Sequence, residues 1–110
     1  MKKVYRIKKS NEIQQLIRKK TTVGNSYFIL YYTKNHECIN YRYALSVPKK
    51  FGNAVKRNLM KRRIREIIKV NVFNDEFDFF IVAKPKARDL DFNEIKSLLE
   101  KLFARADILR

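Results

Sequence analysis

Cysteine, tryptophan, glycine and proline are scarce or absent in this sequence of 110 residues. A lone cysteine, Cys38, cannot form a disulfide within the chain, so we expect a reduced cytoplasmic setting. Two glycines and two prolines leave no glycine-rich phosphate loop and no proline-rich linker. The longest uncharged apolar run, 27–32, is too short to cross a bilayer, and the basic start lacks the apolar block of a secretory signal. We therefore expect no association with a membrane.

Acidic residues are also few. The chain has 11 of them against 26 lysines and arginines, a formal net charge of +15. Two blocks carry this excess, because residues 1–20 have a net charge of +7, residues 49–69 have +8, and the remainder balances. Two solvated charged faces are the simpler interpretation, but so concentrated a charge destabilises a fold through self-repulsion. The two blocks instead predict a polyanionic partner.

Groups that perform chemistry are equally sparse. The single histidine lies in the sequence His36–Glu37–Cys38, and three adjacent side chains do not form a preorganised tetrahedral metal site. The acidic residues Asp75, Glu76 and Asp78 are expected to terminate a helix and balance charge. No nucleophile has an obvious base beside it. We therefore expect no catalytic residue, no metal site and no cofactor in the protein alone, and a stand-alone nuclease is the least favoured hypothesis.

Hydrophobic residues, 45% of the chain, are sufficient for one core, and we expect a single domain over residues 1–110. A helix is predicted from Ser10 or Asn11 to about Lys20, and a last helix is predicted after a capping box at Asp91 and Glu94. Between them the pattern predicts strands over 27–32, 41–47 and 77–83 and a long helix over 54–70. The order αββαβα predicts an α/β (α+β) two-layer sandwich, with helices packed against a small sheet.

The long helix is strongly amphipathic. At 100° per residue, its apolar residues fall mainly on one side and a polar arc on the other, formed by Asn58, Lys61, Arg62, Arg65 and Lys69. Four further cations surround its start: Lys49, Lys50, Lys56 and Arg57. Guanidinium groups suit bidentate contacts to phosphate, and lysines add point charges. A membrane-surface helix would need its apolar side for lipid, whereas here the core needs it, so the pattern favours nucleic acid.

The strand predicted over 27–32 is rich in aromatic residues. Alternation places Tyr27, Ile29 and Tyr31 on one of its sides. If that side is only partly covered, its tyrosines form a stacking platform for single-stranded RNA, worth about 1–3 kcal/mol per base without sequence preference. Half-buried strand residues with no ligand are the equally open alternative.

Residues 45–66, LSVPKKFGNAVKRNLMKRRIRE, closely resemble the signature of the bacterial ribonuclease P protein component family. The resemblance continues at the helix opening near Asn11, at Asn25 and Tyr31, and at the Ala83–Lys84–Pro85 turn, so it covers most of the chain. It implies a subunit of an endoribonuclease that removes the 5′ leader from precursor tRNA, with catalysis by an RNA subunit that uses Mg²⁺. It also implies a mixed sheet with a left-handed βαβ crossover through the basic helix.

The resemblance further implies two binding surfaces. Contact with the RNA subunit is expected from Lys49, Lys50, Asn53, Lys56, Arg57, Asn58, Lys61, Arg62 and Arg65. Contact with the leader is expected from Ile13, Ile17, Asn25, Tyr27 and Tyr31. The chain departs from the family at Leu59, where arginine is common, and at Ile13 and Ile17, where aromatic residues are common. These departures remove one cation from the RNA face and shift base stacking toward Tyr31 and, on the same strand face, Tyr27.

The expected partners are therefore the catalytic RNA and the 5′ leader of precursor tRNA, without a membrane or an obligate protein partner. Charge and size alone leave another structured-RNA-binding protein, such as a ribosomal protein, as the alternative.

Overall fold

The computed structural model describes residues 5–7, 10–18, 21–35 and 39–110, and these ranges contain three α-helices and four short strands. The helices are α1 (Ser10–Arg18), α2 (Ala54–Val70) and α3 (Phe92–Ala106). The strands are β1 (Thr22–Gly24), β2 (Phe28–Lys34), β3 (Arg42–Ser46) and β4 (Phe77–Ala83). Short 3₁₀ turns occupy Lys49–Phe51 and Pro85–Asp89. The predicted helix end near Lys20 and the His36–Cys38 segment lie outside the described residues.

The strands form one mixed sheet in the order β1-β2-β4-β3. Its two pairs involving β2 are antiparallel, and β3 and β4 are parallel neighbours joined through α2. The α+β class, the mixed sheet and the βαβ connection through the basic helix are thus confirmed, while the hand of that crossover stays a prediction. The predicted order lacked β1, because three residues (Thr22–Gly24) are too short for alternation to reveal a strand.

The main core lies between one face of the sheet and the helices α2 and α3. The sheet contributes the buried residues Phe28, Leu30, Tyr43, Phe79, Ile81 and Ala83. The two helices contribute Met60, Ile64, Ile67, Ile68, Ile95, Leu99, Leu102 and Phe103. At its centre the Phe103 ring lies 5.0 Å from Phe73 and 6.1 Å from Phe79, between ring centroids. This packing fixes α2 with its apolar side inward.

Helix α1 lies on the opposite face of the sheet. A second cluster there contains the buried residues Ile7, Leu16, Ala44 and Phe80, with Ile13, Tyr31 and Val82 packed against it. Side chains alternate across a strand, so Phe79 and Ile81 face α2 and α3 while Phe80 and Val82 face α1. The sheet therefore carries a two-helix layer on one face, and on the other a single short helix that packs against β2 and β4.

Candidate nucleic-acid interface

The outer side of α2 presents the polar arc that the sequence predicts. Met60, Ile64, Ile67 and Ile68 are buried against the core, whereas every member of the predicted arc, Asn58, Lys61, Arg62, Arg65 and Lys69, is exposed or half-buried. Arg63 lies on the flank that faces α3, where its Nη1 donates to the Leu90 carbonyl at 3.5 Å. One helix thus separates a core side, an α3 side and a cationic outer side.

No carboxylate in the described part of the chain forms an ion pair with the cations of this outer side. Within the described part of the chain, the ion pairs are Lys34–Glu76, Arg42–Glu12 and Arg42–Asp78, and none involves α2 or the turn before it. Helix α2 also has no acidic residue in its first turn. The positive charges therefore stay available to an external anion, which is the electrostatic footprint of a nucleic-acid-binding surface.

The start of α2 is fixed by a side-chain cap. The Asn53 Oδ1 accepts a hydrogen bond from the Lys56 backbone N–H at 2.9 Å. The preceding 3₁₀ turn buries Phe51 and leaves Lys49 and Lys50 exposed. The cap occupies the Asn53 oxygen, so we expect Asn53 to contribute to the interface mainly by orienting the helix terminus toward an anion.

Arg57, in the first turn of α2, has an unusual environment. Its Nε is buried and has no hydrogen-bond partner among the described residues. A buried donor without a partner costs about 1–3 kcal/mol. An acceptor supplied by a bound phosphate or base would remove that cost, so Arg57 is suited to a contact inside the interface rather than at its rim.

Two residues of the N-terminal basic block, Arg6 and Ile7, lie along β3 at the edge of the sheet. The Ile7 backbone N–H donates to the Tyr43 carbonyl at 2.8 Å, and Arg6 pairs with Tyr43 in parallel orientation. Burial raises the pKa of the Tyr43 phenol, and the positive charges of Arg6 and Arg65 oppose this rise. Arg6 pairs with Tyr43 in the sheet and Arg65 belongs to α2, so one cation of each basic block acts on the same phenol. The sequence gives no signal for this, since it depends on which strand lies at the edge of the sheet.

The opposite face of the sheet brings together two of the predicted leader residues. Tyr31 and Ile13 pack on the same small cluster, and the Tyr31 ring stacks on Phe80 with 5.9 Å between centroids. Tyr31 is only half-buried, and Ile17, further along α1, is 41% exposed. The space between α1 and the sheet is thus lined by aromatic and aliphatic side chains that retain exposed surface.

Tyr27 does not lie with Tyr31, and the prediction that the two share a strand face is wrong. The β2 strand begins at Phe28, and Tyr27 packs on the main core, in a groove that also contains Leu90 and Leu98. The cause is a turn at Asn25, whose Oδ1 accepts from the backbone N–H groups of Tyr27 and Phe28 at 2.8 Å each. This Asx turn ends the alternation that the sequence reading extended to Tyr27. It also occupies the Asn25 side-chain oxygen.

The acidic residues after α2 do not terminate a helix, which corrects a second prediction. Helix α2 ends at Val70, and Asp78 lies within β4 with only 5% of its surface exposed. Arg42 binds it with two hydrogen bonds, Nε to Oδ1 at 3.1 Å and Nη2 to Oδ2 at 2.8 Å. The same guanidinium pairs with Glu12 of α1 at 2.9 Å. Sequence reasoning missed this trio because it follows from the parallel register that sets Arg42 opposite Asp78.

The described residues contain no group of three or more histidine, cysteine, aspartate or glutamate side chains that could hold a metal ion. No helix in the same ranges is long and apolar enough to cross a membrane. The exposed cations of α2 and the half-buried ring of Tyr31 are suited to binding phosphates and bases.

Comparison with known proteins agrees with this chemistry. The Ribonuclease P family model matches residues 1–107. The ribonuclease P protein component of Acholeplasma laidlawii is 41% identical over 99% of this chain and 95% of its own. A solved structure of a Staphylococcus aureus RNase P protein mutant with defective mRNA degradation activity has a TM-score of 0.89 and 35% identity, covering 97% of this chain and 92% of that one. The RNase P protein of Thermotoga maritima has a TM-score of 0.81 and 27% identity, covering 91% and 96%. The chain belongs to the family of bacterial ribonuclease P protein components.

Proposed function

We propose that this protein binds the RNA subunit of ribonuclease P through α2 and holds the 5′ leader of precursor tRNA between α1 and the sheet. The observation that carries the proposal is the set of cations on α2 that no carboxylate of the described chain neutralises. Catalysis belongs to the RNA subunit, and Mg²⁺ bound there supplies the metal-ion chemistry. The role proposed for the protein's own residues is to bind and orient the two RNA partners.

The proposed surface for the RNA subunit lies along α2 and the 3₁₀ turn that precedes it. It contains Lys49, Lys50, Asn53, Lys56, Arg57, Asn58, Lys61, Arg62 and Arg65, and we add Arg6 because it is exposed and pairs with Tyr43 at the edge strand β3. Arginine forks fix register on phosphates, whereas exposed lysines add charge that depends strongly on salt. Leu59 is half-buried and stands where the family commonly has arginine. The neighbouring residues must therefore supply the positive charge in this part of the surface.

The leader surface lies on the other face of the sheet. Ile13 and Tyr31 pack on one cluster there, Ile17 lies one turn further along α1, and we keep Asn25, which forms the turn before β2, as a proposed contact. Tyr27 is left out of this surface because it packs on the opposite face. Stacking and apolar contact tolerate any base sequence, which suits a leader that differs from one precursor tRNA to another.

Cleavage of precursor tRNA tests the function directly. We expect the cognate RNA subunit at low Mg²⁺ to cleave faster, and to bind its substrate more tightly, when this protein is added. Footprinting on the same RNA should show protection that is lost when α2 cations are removed. If the protein changes neither the rate nor the affinity for precursor tRNA, the proposal is wrong.

Substitution of Tyr31 tests the leader surface. We expect Tyr31→Ala to weaken binding of precursor tRNA by about tenfold while leaving binding of leaderless tRNA nearly unchanged, because stacking contributes about 1–3 kcal/mol per base. Tyr27→Ala serves as the matched control on the opposite face and should not change the ratio of the two affinities. Equal losses for both substrates in Tyr31→Ala would place the leader elsewhere.

A second candidate function is degradation of mRNA, the activity in which the mutant of the Staphylococcus aureus RNase P protein is defective. The same cleavage assay decides it, with the RNA subunit omitted. Cleavage that a chelator abolishes, by protein free of RNA, would establish a nuclease; we expect none. We propose that the protein acts in the cytoplasm, where precursor tRNA is made.

A further inference from the structure

Helix α1, which borders the proposed leader surface, buries little apolar surface against the sheet. It has nine residues, and Leu16 is its buried one, 3% exposed. Helices this short are marginal on their own in water, and their position depends on tertiary contacts. Whatever else fixes α1 therefore has a large influence on the width of the space between α1 and Tyr31.

An ion-pair chain supplies that second attachment. Asp78, buried in β4, binds Arg42 through both carboxylate oxygens. Arg42 in turn places its Nη1 2.9 Å from the Glu12 Oε2 of α1. A guanidinium that is held by a bidentate contact has lost most of its freedom, so it presents a fixed partner to the helix. The two ion pairs thus connect Asp78 of β4, through Arg42 of β3, to Glu12 of α1.

Glu12 is well placed to transmit this constraint, because it directly precedes Ile13. The Glu12 Oε2 is buried, although it has no hydrogen bond of good geometry, so the Arg42 charge is what compensates it there. A buried carboxylate oxygen that loses its partner is costly, and a short helix would move to return it to water. We propose that Glu12 and Arg42 are positioning residues for the leader. They hold α1 at the distance from the sheet at which Ile13 and Tyr31 can both contact the same single-stranded RNA leader.

This inference rests on the proposed leader surface, and it makes a prediction with a distinctive sign. Glu12→Gln removes one negative charge, so simple electrostatics predicts tighter binding of every RNA. Positioning predicts the opposite for the leader alone. The matched control is Glu76→Gln, which removes the same charge from the exposed Lys34–Glu76 pair that joins β2 to the start of β4 and does not involve α1.

The experiment measures the affinity of the assembled holoenzyme for precursor tRNA and for leaderless tRNA. We divide the affinity for precursor tRNA by the affinity for leaderless tRNA. In Glu12→Gln we expect this ratio to fall by about threefold to tenfold, the size of a lost contact with a charged group. Amide hydrogen exchange in Ser10–Arg18 should become faster in the same variant. Glu76→Gln should alter neither the ratio nor the exchange in α1. An unchanged or increased ratio in Glu12→Gln overturns the inference.

Tyr31→Ala, measured alongside, separates the two ways of failing. If Tyr31→Ala lowers the ratio and Glu12→Gln does not, the leader surface stands and positioning by Glu12 is wrong. If neither variant lowers it, the leader surface is wrong and the inference falls with it. Glu12→Gln is preferred to Arg42→Ala because the latter leaves the buried Asp78 without its bidentate partner and endangers the fold itself.

Discussion

Removing two cations from the middle of α2 should change the salt dependence of RNA binding in a way that the same change elsewhere does not. Arg62→Gln with Arg65→Gln eliminates two charges from the outer side of the helix and leaves its core side intact. Lys96→Gln with Lys101→Gln is the matched control, because it removes two charges from α3. Glutamine keeps helix propensity close to that of lysine and arginine, so both helices should persist.

The magnitude follows from counterion release. The logarithm of the affinity falls linearly with the logarithm of the salt concentration, and each lost phosphate contact makes this slope less steep by about 0.7 to 0.9. At about 0.15 M salt this corresponds to a four- to sixfold loss of affinity per contact, and for the pair to a loss of about 15- to 30-fold with a slope that is less steep by about 1.4 to 1.8. The control should lose less than about threefold, with its slope nearly unchanged, because charges away from an interface act only through the screened field.

Filter binding or fluorescence titration of the ribonuclease P RNA across a series of salt concentrations measures both quantities. Equal slopes for the wild type and the α2 variant would refute the reasoning, since cations that contact phosphate must release counterions when they bind. Equal losses in the α2 and α3 variants would show that only net charge matters. In either case α2 would no longer be the RNA surface.

Two further predictions concern the fold. Phe103→Ala should lower the free energy of unfolding by about 3–5 kcal/mol in a denaturant titration, because the ring is fully buried between Phe73 and Phe79; a loss below about 1 kcal/mol would contradict the described packing. The wild type should lose stability as pH rises above 10.0, because burial raises the pKa of Tyr43 in the folded state and the unfolded chain releases the phenol proton first. Tyr43→Phe should make this alkaline loss smaller, and an identical pH dependence in both proteins would contradict the assignment.

The long elements were predictable because their local signals agree with their surroundings. Helix α2 has an Asn53 cap, an apolar side of the right period and a polar arc, and the structure gives it the predicted bounds Ala54–Val70. The same holds for α3, whose capping box at Asp91 and Glu94 is present with both of its hydrogen bonds. In both helices the residues that determine the element lie within a few positions of one another, so no knowledge of the sheet is needed.

The features that escaped prediction have different causes. Strand β1 exists because Thr22–Gly24 pairs with β2, and three residues are too few for alternation to reveal a strand. Tyr27 changes face because of a local turn, in which the Asn25 side chain accepts from the two following backbone N–H groups before β2 begins. The Arg42–Asp78 pair alone joins residues far apart in sequence, and it needs the parallel register of β3 and β4, which a pattern along one chain does not contain.

The two proposed RNA surfaces lie on opposite faces of one sheet, and this arrangement has a functional consequence. Helix α2 packs on the face that contains Phe79 and Ile81, whereas Tyr31 and α1 lie on the face that contains Phe80. A protein that binds two RNA segments at once needs surfaces that do not compete for the same side chains, and strand alternation provides this separation without a second domain. The effects of Arg62 and Tyr31 variants should therefore combine additively in free energy, because the two residues share no partner. A strong coupling between them would mean that both surfaces bind one continuous RNA segment.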